Sequence, residues 1–258
     1  MKKELLLKTL VIVIILPFIC MSIAPSSAID NVEKSSMRVS DGNILYVGGS
    51  GSDNYTRIQD AIDNATDGDT IFVFNGTYYE EVNLYKKINL IGENTDDTII
   101  NSLTNISDTV ILITADYVKI YGFTITSKNN SIKTTYGIKI KSSHCNISNC
   151  NVIENSFGIA FFNKSNHNTI YKNNIEKDAY GIYLGLEQIS SYFNVLKHNN
   201  FIETRLTFSS SFFNFWIGNY YDTWIGIGPK IILGYCFIFP WVNFDWHPAK
   251  EPYDMSGG

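Results

Sequence analysis

Two histidines have the clearest potential for chemistry. The interval between His144 and His167 equals the interval between the apolar residues Ile147 and Ile170, since 167 − 144 = 170 − 147. A repeat of that length would place one imidazole directly above the other. Cys145 follows the first histidine, and imidazole and thiolate are ligands that suit copper and zinc. The pattern predicts a copper or zinc site at these three residues, with a polar turn that binds nothing as the alternative.

Three carboxylates offer a second kind of chemistry. Glu154, Glu176 and Asp178 each follow a predicted strand, in adjacent repeats. Paired carboxylates act as acid and base in glycoside hydrolases, and clustered ones hold Ca²⁺, as a polysaccharide lyase would require. The repeat also aligns Glu154 with Lys177 and then Glu203, and an alternating column of that kind stabilises a sheet. No Asp-Asp pair lies on a repeated strand, so the sequence leans against an enzyme and keeps the three carboxylates as the candidates if there is one.

Repeated aromatic residues offer a third possibility. Tyr136, Tyr180, Tyr183 and Trp216 recur at positions that would bring them to one side of a repetitive fold. Large aromatic rings with polar edges suit contact with sugars. These four residues are therefore predicted to form a sugar-stacking platform, unless they fill the core or flank the glycine turns.

The elements that must position these residues are short and repeated. An aromatic-Gly-Ile-x-apolar motif occurs at 136–140, 157–161 and 180–184, so its glycines recur at a nearly constant interval. A second unit is an apolar residue followed five positions later by another, with Asn between them. It occurs at Ile147…Val152, Ile170…Ile175, Leu196…Phe201 and Trp216…Tyr221.

Short β-branched segments repeated every ~20–26 residues are typical of one coil of a parallel β-solenoid. A single coil cannot bury its own apolar face, so the coils must stack around a continuous core. Asn199 and Asn219 occupy matching places in the last two copies, as do Asn194 and Asn214. Asn tolerates the left-handed backbone of tight turns, and stacked Asn side chains bond along a column.

The two ends of the repeat region differ from its middle. Ile58, Ala61, Ile62 and Ala65 share one helical face, so a helix is predicted over Tyr55–Ala65, with Asn54 or Thr56 as its N-cap. This helix would cover the open end of the first coil. Residues 223–258, with three of the four tryptophans, are predicted to form an aromatic C-terminal cap and tail. Membrane association through the apolar stretch 225–244 is the alternative.

The N-terminal segment 1–28 predicts export. A basic start, an apolar run over 10–20 and small residues at 26–28 are typical of a signal peptide, or of a membrane anchor through residues 1–20 if it is uncleaved. Residues 29–43 are predicted to be a linker. The net charge of −5 becomes −5 − (3 − 1) = −7 without residues 1–28, which argues against a nucleic-acid partner. Outside the cell Cys145 and Cys150 would either form a local disulfide or stay buried as small apolar residues.

Several segments resemble a known family. Residues 46–49, 54–62, 67–70, 75–78 and 88–93 resemble the opening of right-handed parallel β-helix proteins of the pectin-lyase-like fold. Residues 218–222 resemble the Gly-Asn-Tyr-Trp-Asp motif of NosD-type periplasmic copper-binding proteins, with Tyr221 in place of the Trp. The ending at 243–248 is similar to the tails of secreted archaeal β-helix proteins. The resemblance spans roughly residues 44–222 and implies the fold more strongly than any activity.

The sequence thus predicts an all-β protein, a right-handed parallel β-helix over 44–222 with a capping helix and an aromatic C-terminal cap. We expect an extracytoplasmic or cell-surface module that binds a ligand or has a structural role. A cell-surface polysaccharide or glycoprotein is the leading partner. The alternatives are a NosD-like protein that handles copper or zinc, and a polysaccharide lyase or glycoside hydrolase, for which calcium would be the cofactor.

Overall fold

The computed structural model describes residues 42–102, 108–127, 134–162, 164–186, 191–209, 211, 213–236 and 239–255. The predicted signal peptide, and nearly all of the predicted linker, lie outside these residues. Among the described residues, no helix is both long enough and apolar enough to cross a bilayer.

Short strands are the main regular elements of the described chain. The first coils contain β1 (Ile44–Val47), β2 (Thr70–Val73), β3 (Gly76–Tyr79), β4 (Val82–Leu84), β5 (Asn89–Gly92), β6 (Thr98–Asn101), β7 (Thr109–Ile113), β8 (Lys119–Tyr121), β9 (Thr124–Thr126) and β10 (Tyr136–Ile140). The later coils contain β11 (Asn146–Ser148), β12 (Asn151–Ile153), β13 (Phe157–Phe162), β14 (Thr169–Tyr171), β15 (Asn174–Glu176), β16 (Tyr180–Leu186), β17 (Val195–Lys197), β18 (Asn200–Ile202), β19 (Leu206–Phe208), β20 (Phe215–Ile217) and β21 (Tyr220–Tyr221). The chain then forms β22 (Lys230–Cys236) and β23 (Phe239–Asp245).

The strands form three sheets, which are parallel except for the antiparallel pair β22–β23 at one edge of sheet A. Sheet A has the order β1-β2-β5-β8-β11-β14-β17-β20-β23-β22, sheet B has β21-β18-β15-β12-β9-β6-β3, and sheet C has β19-β16-β13-β10-β7-β4. From β2 to β21 the chain contributes strands to sheets A, B and C in turn, so a strand inside a sheet pairs with its equivalents one coil before and after. The β-solenoid predicted from the repeats is therefore confirmed.

The predicted repeat units give the observed registers. Ile147 pairs with Ile170, which pairs with Leu196 and then Trp216, all in sheet A. The glycine motifs stack in sheet C, where Ile138, Ile159 and Ile182 are neighbours. These inward residues are fully or almost fully buried. Burial of an apolar residue at each coil is the main stabilising contribution, at about 25 cal/mol per Å² of apolar surface.

Two ladders of buried asparagines hold the turns of the later coils together. Asn168, Asn194 and Asn214 form one ladder, and Asn173, Asn199 and Asn219 form the other. The Oδ1 of Asn199 accepts from the backbone N–H of Asn173 (3.0 Å) and from its Nδ2 (3.1 Å). The Nδ2 of Asn199 donates to Ile170 O (2.9 Å) and to Asn219 Oδ1 (3.0 Å). Each amide thus satisfies backbone groups that would otherwise be buried without partners.

Different residue types end these ladders. Cys145 and Cys150 occupy the coil before, where their backbone N–H groups donate to the Oδ1 atoms of Asn168 and Asn173. Both cysteines are buried and unpaired in the structure, so they are small apolar residues and not a disulfide. At the other end, Asp245 accepts from the Nδ2 of Asn219 (3.1 Å). An aspartate can end the ladder because its carboxylate only accepts hydrogen bonds, and no further coil follows that would need a donor.

The helix α1 (Ile58–Asn64) is shorter than the predicted one, and its cap differs. Ile58, Ala61 and Ile62 are buried, as the periodicity predicts. The predicted N-caps are wrong, because Arg57 is the N-cap residue and its side chain makes no capping bond. The buried carboxylate of Glu80 accepts from the backbone N–H groups of Ile58 (2.8 Å) and Gln59 (3.0 Å) instead.

Candidate functional site

The two predicted histidines do stack. The rings of His144 and His167 lie 5.0 Å apart at their centroids with 3° between their planes, and both side chains are exposed. Tyr117 stacks on His144 at 4.9 Å, and Phe193 stacks on His167 at 5.3 Å. Phe213 extends the stack at 5.7 Å. These five rings form a column that we call the exposed ladder.

The backbone fixes the exposed ladder. Its five residues have φ values of 63°, 61°, 57°, 56° and 55° in chain order, so each adopts the left-handed conformation at the turn between sheets C and A. Coil-to-coil hydrogen bonds hold the column, for example from His144 N to Asn166 O (3.1 Å) and from His167 N to Tyr192 O (3.1 Å). Left-handed residues other than Gly are uncommon, so a column of them with stacked rings is a distinct surface feature.

The stack does not form the predicted metal site. A metal ion lies in the plane of each imidazole that binds it, and two parallel planes have no point in common. Binding one ion through both rings would require one of them to leave the stack. The prediction that Cys145 is a third ligand at the surface is wrong, because its thiol is buried and contacts Ser142 Oγ at 3.3 Å. Among the described residues, no group of three or more His, Cys, Asp or Glu side chains could hold a metal ion.

A second aromatic column lies at the start of the sheet C strands. Tyr136, Phe157 and Tyr180 stack at centroid distances of 5.0 Å and 5.2 Å and are half-buried. Tyr183 lies further along its strand, with its ring at 71° to Phe157 and 75° to Tyr180. The stacked rings cover each other's faces, so they offer edges and hydroxyl groups to solvent. Three of the four predicted platform residues therefore lie together, although not as a flat platform.

The prediction that Trp216 belongs to the sugar-stacking platform is wrong. Trp216 is 3% exposed and continues the buried column of Ile147, Ile170 and Leu196. The repeat alignment already places it there, since an inward position of one coil is inward in the next.

A charged pair lies on sheet C beside the second column. Lys139 Nζ is 3.0 Å from both carboxylate oxygens of Asp108 and 4.2 Å from the ring centroid of Tyr136. Burial raises the pKa of Asp108, but hydrogen bonds from Thr109 and Lys139 outweigh it and lower the pKa below the usual value. The Asp108 carboxyl group is therefore ionised at neutral pH. We call Asp108, Tyr136, Lys139, Tyr180 and Tyr183 the sheet C face.

The predicted catalytic carboxylates have separate structural surroundings. Glu154, Lys177 and Glu203 occupy equivalent left-handed positions in successive coils, which confirms the alternating column. Glu176 contacts Lys177 at 2.5 Å, and that ion pair lowers the pKa of Glu176. The charge of Glu176 also raises the pKa of Asp178, to a smaller extent than burial does.

Asp178 is a structural residue and not a surface acid. It is 2% exposed, and its Oδ1 accepts from the backbone N–H (2.7 Å) and Nδ2 (3.1 Å) of Asn155. Burial raises the pKa of Asp178 well above its usual value of 3.8, and its hydrogen bonds with Asn155 offset this only in part. Its second oxygen, Oδ2, has no hydrogen-bond partner.

Five residues of these surfaces were not predicted from the sequence. Tyr117, Phe193 and Phe213 extend the exposed ladder. Asp108 pairs with Lys139, which lies a full coil later in the chain.

The interval of the repeat could have predicted the other rings of the exposed ladder. Tyr117 precedes His144 by the same interval that separates the paired residues Ile120 and Ile147 in sheet A. Phe193 follows His167 in the same way that Leu196 follows Ile170. Extending the histidine pair by one step in each direction would therefore have found both rings.

Three solved structures are similar to this chain. Escherichia coli YbhC aligns with a TM-score of 0.53 and 13% identity, over 69% of this chain and 63% of that one. An alginate lyase from Paenibacillus sp. str. FPU-7 has a TM-score of 0.50 and 16% identity, over 69% and 76%. The pectate lyase Pel9A has a TM-score of 0.50 and 16% identity, over 67% and 54%. The chain thus spans less than two thirds of YbhC and of Pel9A.

These similarities show the fold. The chain is a right-handed parallel β-helix, as its resemblance to pectin-lyase-like proteins implied. The sequence matches no protein-family model and no curated protein. At 13–16% identity these similarities show the fold alone.

Proposed function

We propose that the protein is an extracytoplasmic module that binds carbohydrate on the sheet C face. The observation that carries this proposal is the position of Tyr183. Its ring stands across the edges of the Phe157–Tyr180 stack, in the same row of sheet C as Lys139, which forms the ion pair with Asp108. One surface therefore combines aromatic area with charged hydrogen-bonding groups.

The chemistry of a sugar fits that combination. A pyranose ring has apolar C–H faces and a rim of hydroxyl groups, so its binding sites combine aromatic surface with a few fixed polar groups. The Asp108 carboxylate accepts hydrogen bonds, and Lys139 and the tyrosine hydroxyls donate them. Burial, and to a smaller extent Tyr180, raises the pKa of Tyr183. Its hydroxyl is therefore a neutral donor and acceptor at physiological pH.

The rigidity of the fold also favours binding. The sheet C strands pair with one another through the row that contains Lys139 and Tyr183, and the register shift of β13 on β16 comes after that row, so the polar groups are positioned before a ligand arrives. A preorganised site loses less conformational entropy on binding. Two of the structural neighbours are named as lyases of alginate and of pectate, which supports carbohydrate as the ligand class. The sequence of residues 1–28 supports export.

The proposal can be tested with a glycan array of neutral and acidic oligosaccharides. Titration of a bound glycan by calorimetry then compares the wild type with Tyr183→Ala and Lys139→Ala. We expect Tyr183→Ala to weaken binding by about 1–2 kcal/mol, or roughly 5–30-fold, because an aromatic contact is lost. Lys139→Ala should weaken the binding of acidic glycans more than the binding of neutral glycans.

The matched control is Tyr79→Ala, since Tyr79 is 58% exposed and lies in β3 of sheet B. It should bind glycan as the wild type does. A protein that binds no glycan, or a Tyr183→Ala variant with unchanged affinity, would contradict the proposal.

A further inference from the structure

The C-terminal hairpin of β22 and β23 has an apolar outer face. In the antiparallel pairing Ile231 lies opposite Phe244, Leu233 opposite Val242, and Tyr235 opposite Pro240. Residues directly opposite each other share a face, and alternate residues of one strand do so as well. These six residues therefore form one face of the hairpin, which we call the hairpin face. It contains no charged or amide side chain.

The other face of the hairpin packs on the β-helix. Ile232 is 2% exposed and belongs to the core, and Asn243 and Asp245 are buried. β23 pairs with β20 at the edge of sheet A through Trp216 and Asp245. β22 approaches β19 at the edge of sheet C, with a bridge between Ser209 and Tyr235. The hairpin thus lies across the last coil, and the hairpin face points away from it.

This end of the molecule exposes an unusual amount of apolar surface. Ile231, Leu233 and Tyr235 are 52%, 67% and 57% exposed. Ile225 and Ile227, in the preceding loop, are 84% and 79% exposed, and Phe239 and Trp246 add 66% and 52%. At roughly 150–250 Å² per large side chain, these seven residues expose on the order of 700–1,100 Å². The three residues of the hairpin face contribute roughly 260–440 Å² of this area, and the other four lie in the preceding loop and at the two ends of β23. Apolar patches of several hundred Å² mark interaction sites.

We propose that the hairpin face binds the hairpin face of a second copy of this chain, which gives a tail-to-tail dimer. The hairpin face, together with the exposed apolar residues of the preceding loop and of the ends of β23, has an area comparable to the ~800 Å² per partner of a standard interface. A two-fold axis lets the same patch serve on both copies and closes the assembly. Two sheet faces pack about 10 Å apart with interdigitated side chains. The dimer would present its two sheet C faces on separate β-helices.

Charge favours a second copy over a lipid surface. The chain has a net charge of −5, so an anionic bilayer would repel it. The hairpin strands contain one cation, Lys230, which lies opposite the buried Asp245 and not on the hairpin face. Two acidic copies can meet here without like charges in contact, because the face itself is uncharged.

Sedimentation velocity of the full-length protein at about 1–100 µM tests the proposal. We expect a reversible monomer–dimer equilibrium in the wild type. Leu233→Asp with Tyr235→Asp should raise the dimer dissociation constant at least ~100-fold, since each monomer would bury two carboxylates in an apolar contact. Both substituted side chains point outward, and circular dichroism checks that the variant is folded.

The matched control is Tyr79→Asp with Tyr85→Asp, which adds the same charge at side chains that are 58% and 45% exposed elsewhere. It should dimerise as the wild type does. A wild type that remains monomeric at 100 µM, or a hairpin variant that dimerises normally, would overturn the proposal. A monomeric wild type that floats with phosphatidylcholine vesicles, together with a hairpin variant that does not, would overturn the dimer proposal. The hairpin face would then bind a lipid surface.

Discussion

At the scale of single residues, the molecule depends on side chains that satisfy backbone groups inside the coils. Asn168, Asn173, Asn194 and Asn199 each bridge two coils through buried amide bonds. A buried donor or acceptor left without a partner costs about 1–3 kcal/mol. Polar residues inside this fold are therefore as important for stability as the apolar ones.

Asn199→Ala should be strongly destabilising. It removes the acceptor of two Asn173 donors and the donor to Ile170 O. We expect the free energy of unfolding to fall by roughly 2–5 kcal/mol, measured by urea denaturation. Asn64→Ala, at an exposed helix position, should change it by less than about 0.5 kcal/mol. Equal effects of the two substitutions would contradict a structural role for the ladder.

Asp178→Asn should change the pH dependence of stability. Burial raises the pKa of Asp178 well above 3.8 in the folded state, so the folded protein binds a proton more tightly than the unfolded chain does. Its contribution to stability is therefore full at low pH and is lost as the pH rises above 3.8 through the folded pKa. Removing this carboxylate should stabilise the protein by roughly 1–3 kcal/mol at pH 7 and have little effect near pH 4.

Urea denaturation at pH 4 and pH 7 measures this difference. Asp53→Asn, at an exposed position, serves as the control and should follow the wild type. If the free energy of unfolding changes equally in Asp178→Asn and in the wild type between the two pH values, the buried carboxylate does not cause the pH dependence.

At the scale of elements, equivalent positions of successive coils form columns with a shared environment. Cys145 and Cys150 stand in the same columns as the asparagine ladders and are buried there. The exposed ladder is another such column, formed by left-handed residues at one turn. A residue's role in this fold follows from its column more than from its immediate sequence neighbours.

The column position of the two cysteines predicts low reactivity. Burial raises the pKa of the Cys150 thiol to about 12, and it also raises that of Cys145. Thiolates, the reactive form, should therefore be scarce at pH 8. Iodoacetamide labelling followed by peptide mass spectrometry should find both sites unmodified in the native protein and modified in urea. Rapid labelling of either site in the native protein would contradict their burial.

At the scale of the whole molecule, the β-helix provides a rigid support with two different surfaces. The sheet C face combines tyrosines with an ion pair along the side of the coils. The hairpin face is apolar and lies across the last coil. Ligand binding and self-association would therefore use separate parts of the molecule.

The repeat made much of the fold predictable. A fixed step pairs Ile147 with Ile170 and His144 with His167, so registers follow from sequence alone. Contacts that join non-equivalent positions were not predictable. Glu80 caps a helix that lies one coil earlier in the chain. Asp108 forms an ion pair with Lys139, which lies one coil later. The burial of Asp178 was not predictable either, because an acidic side chain is rarely buried.

The most direct test of the account is a crystal structure of the protein with the oligosaccharide that binds it most tightly in the glycan screen. We expect a sugar ring in contact with Tyr183 and a hydroxyl or carboxylate group within hydrogen-bond distance of Lys139 or Asp108. Sugar bound on sheet A or sheet B, or at the exposed ladder alone, would contradict the assignment of the sheet C face.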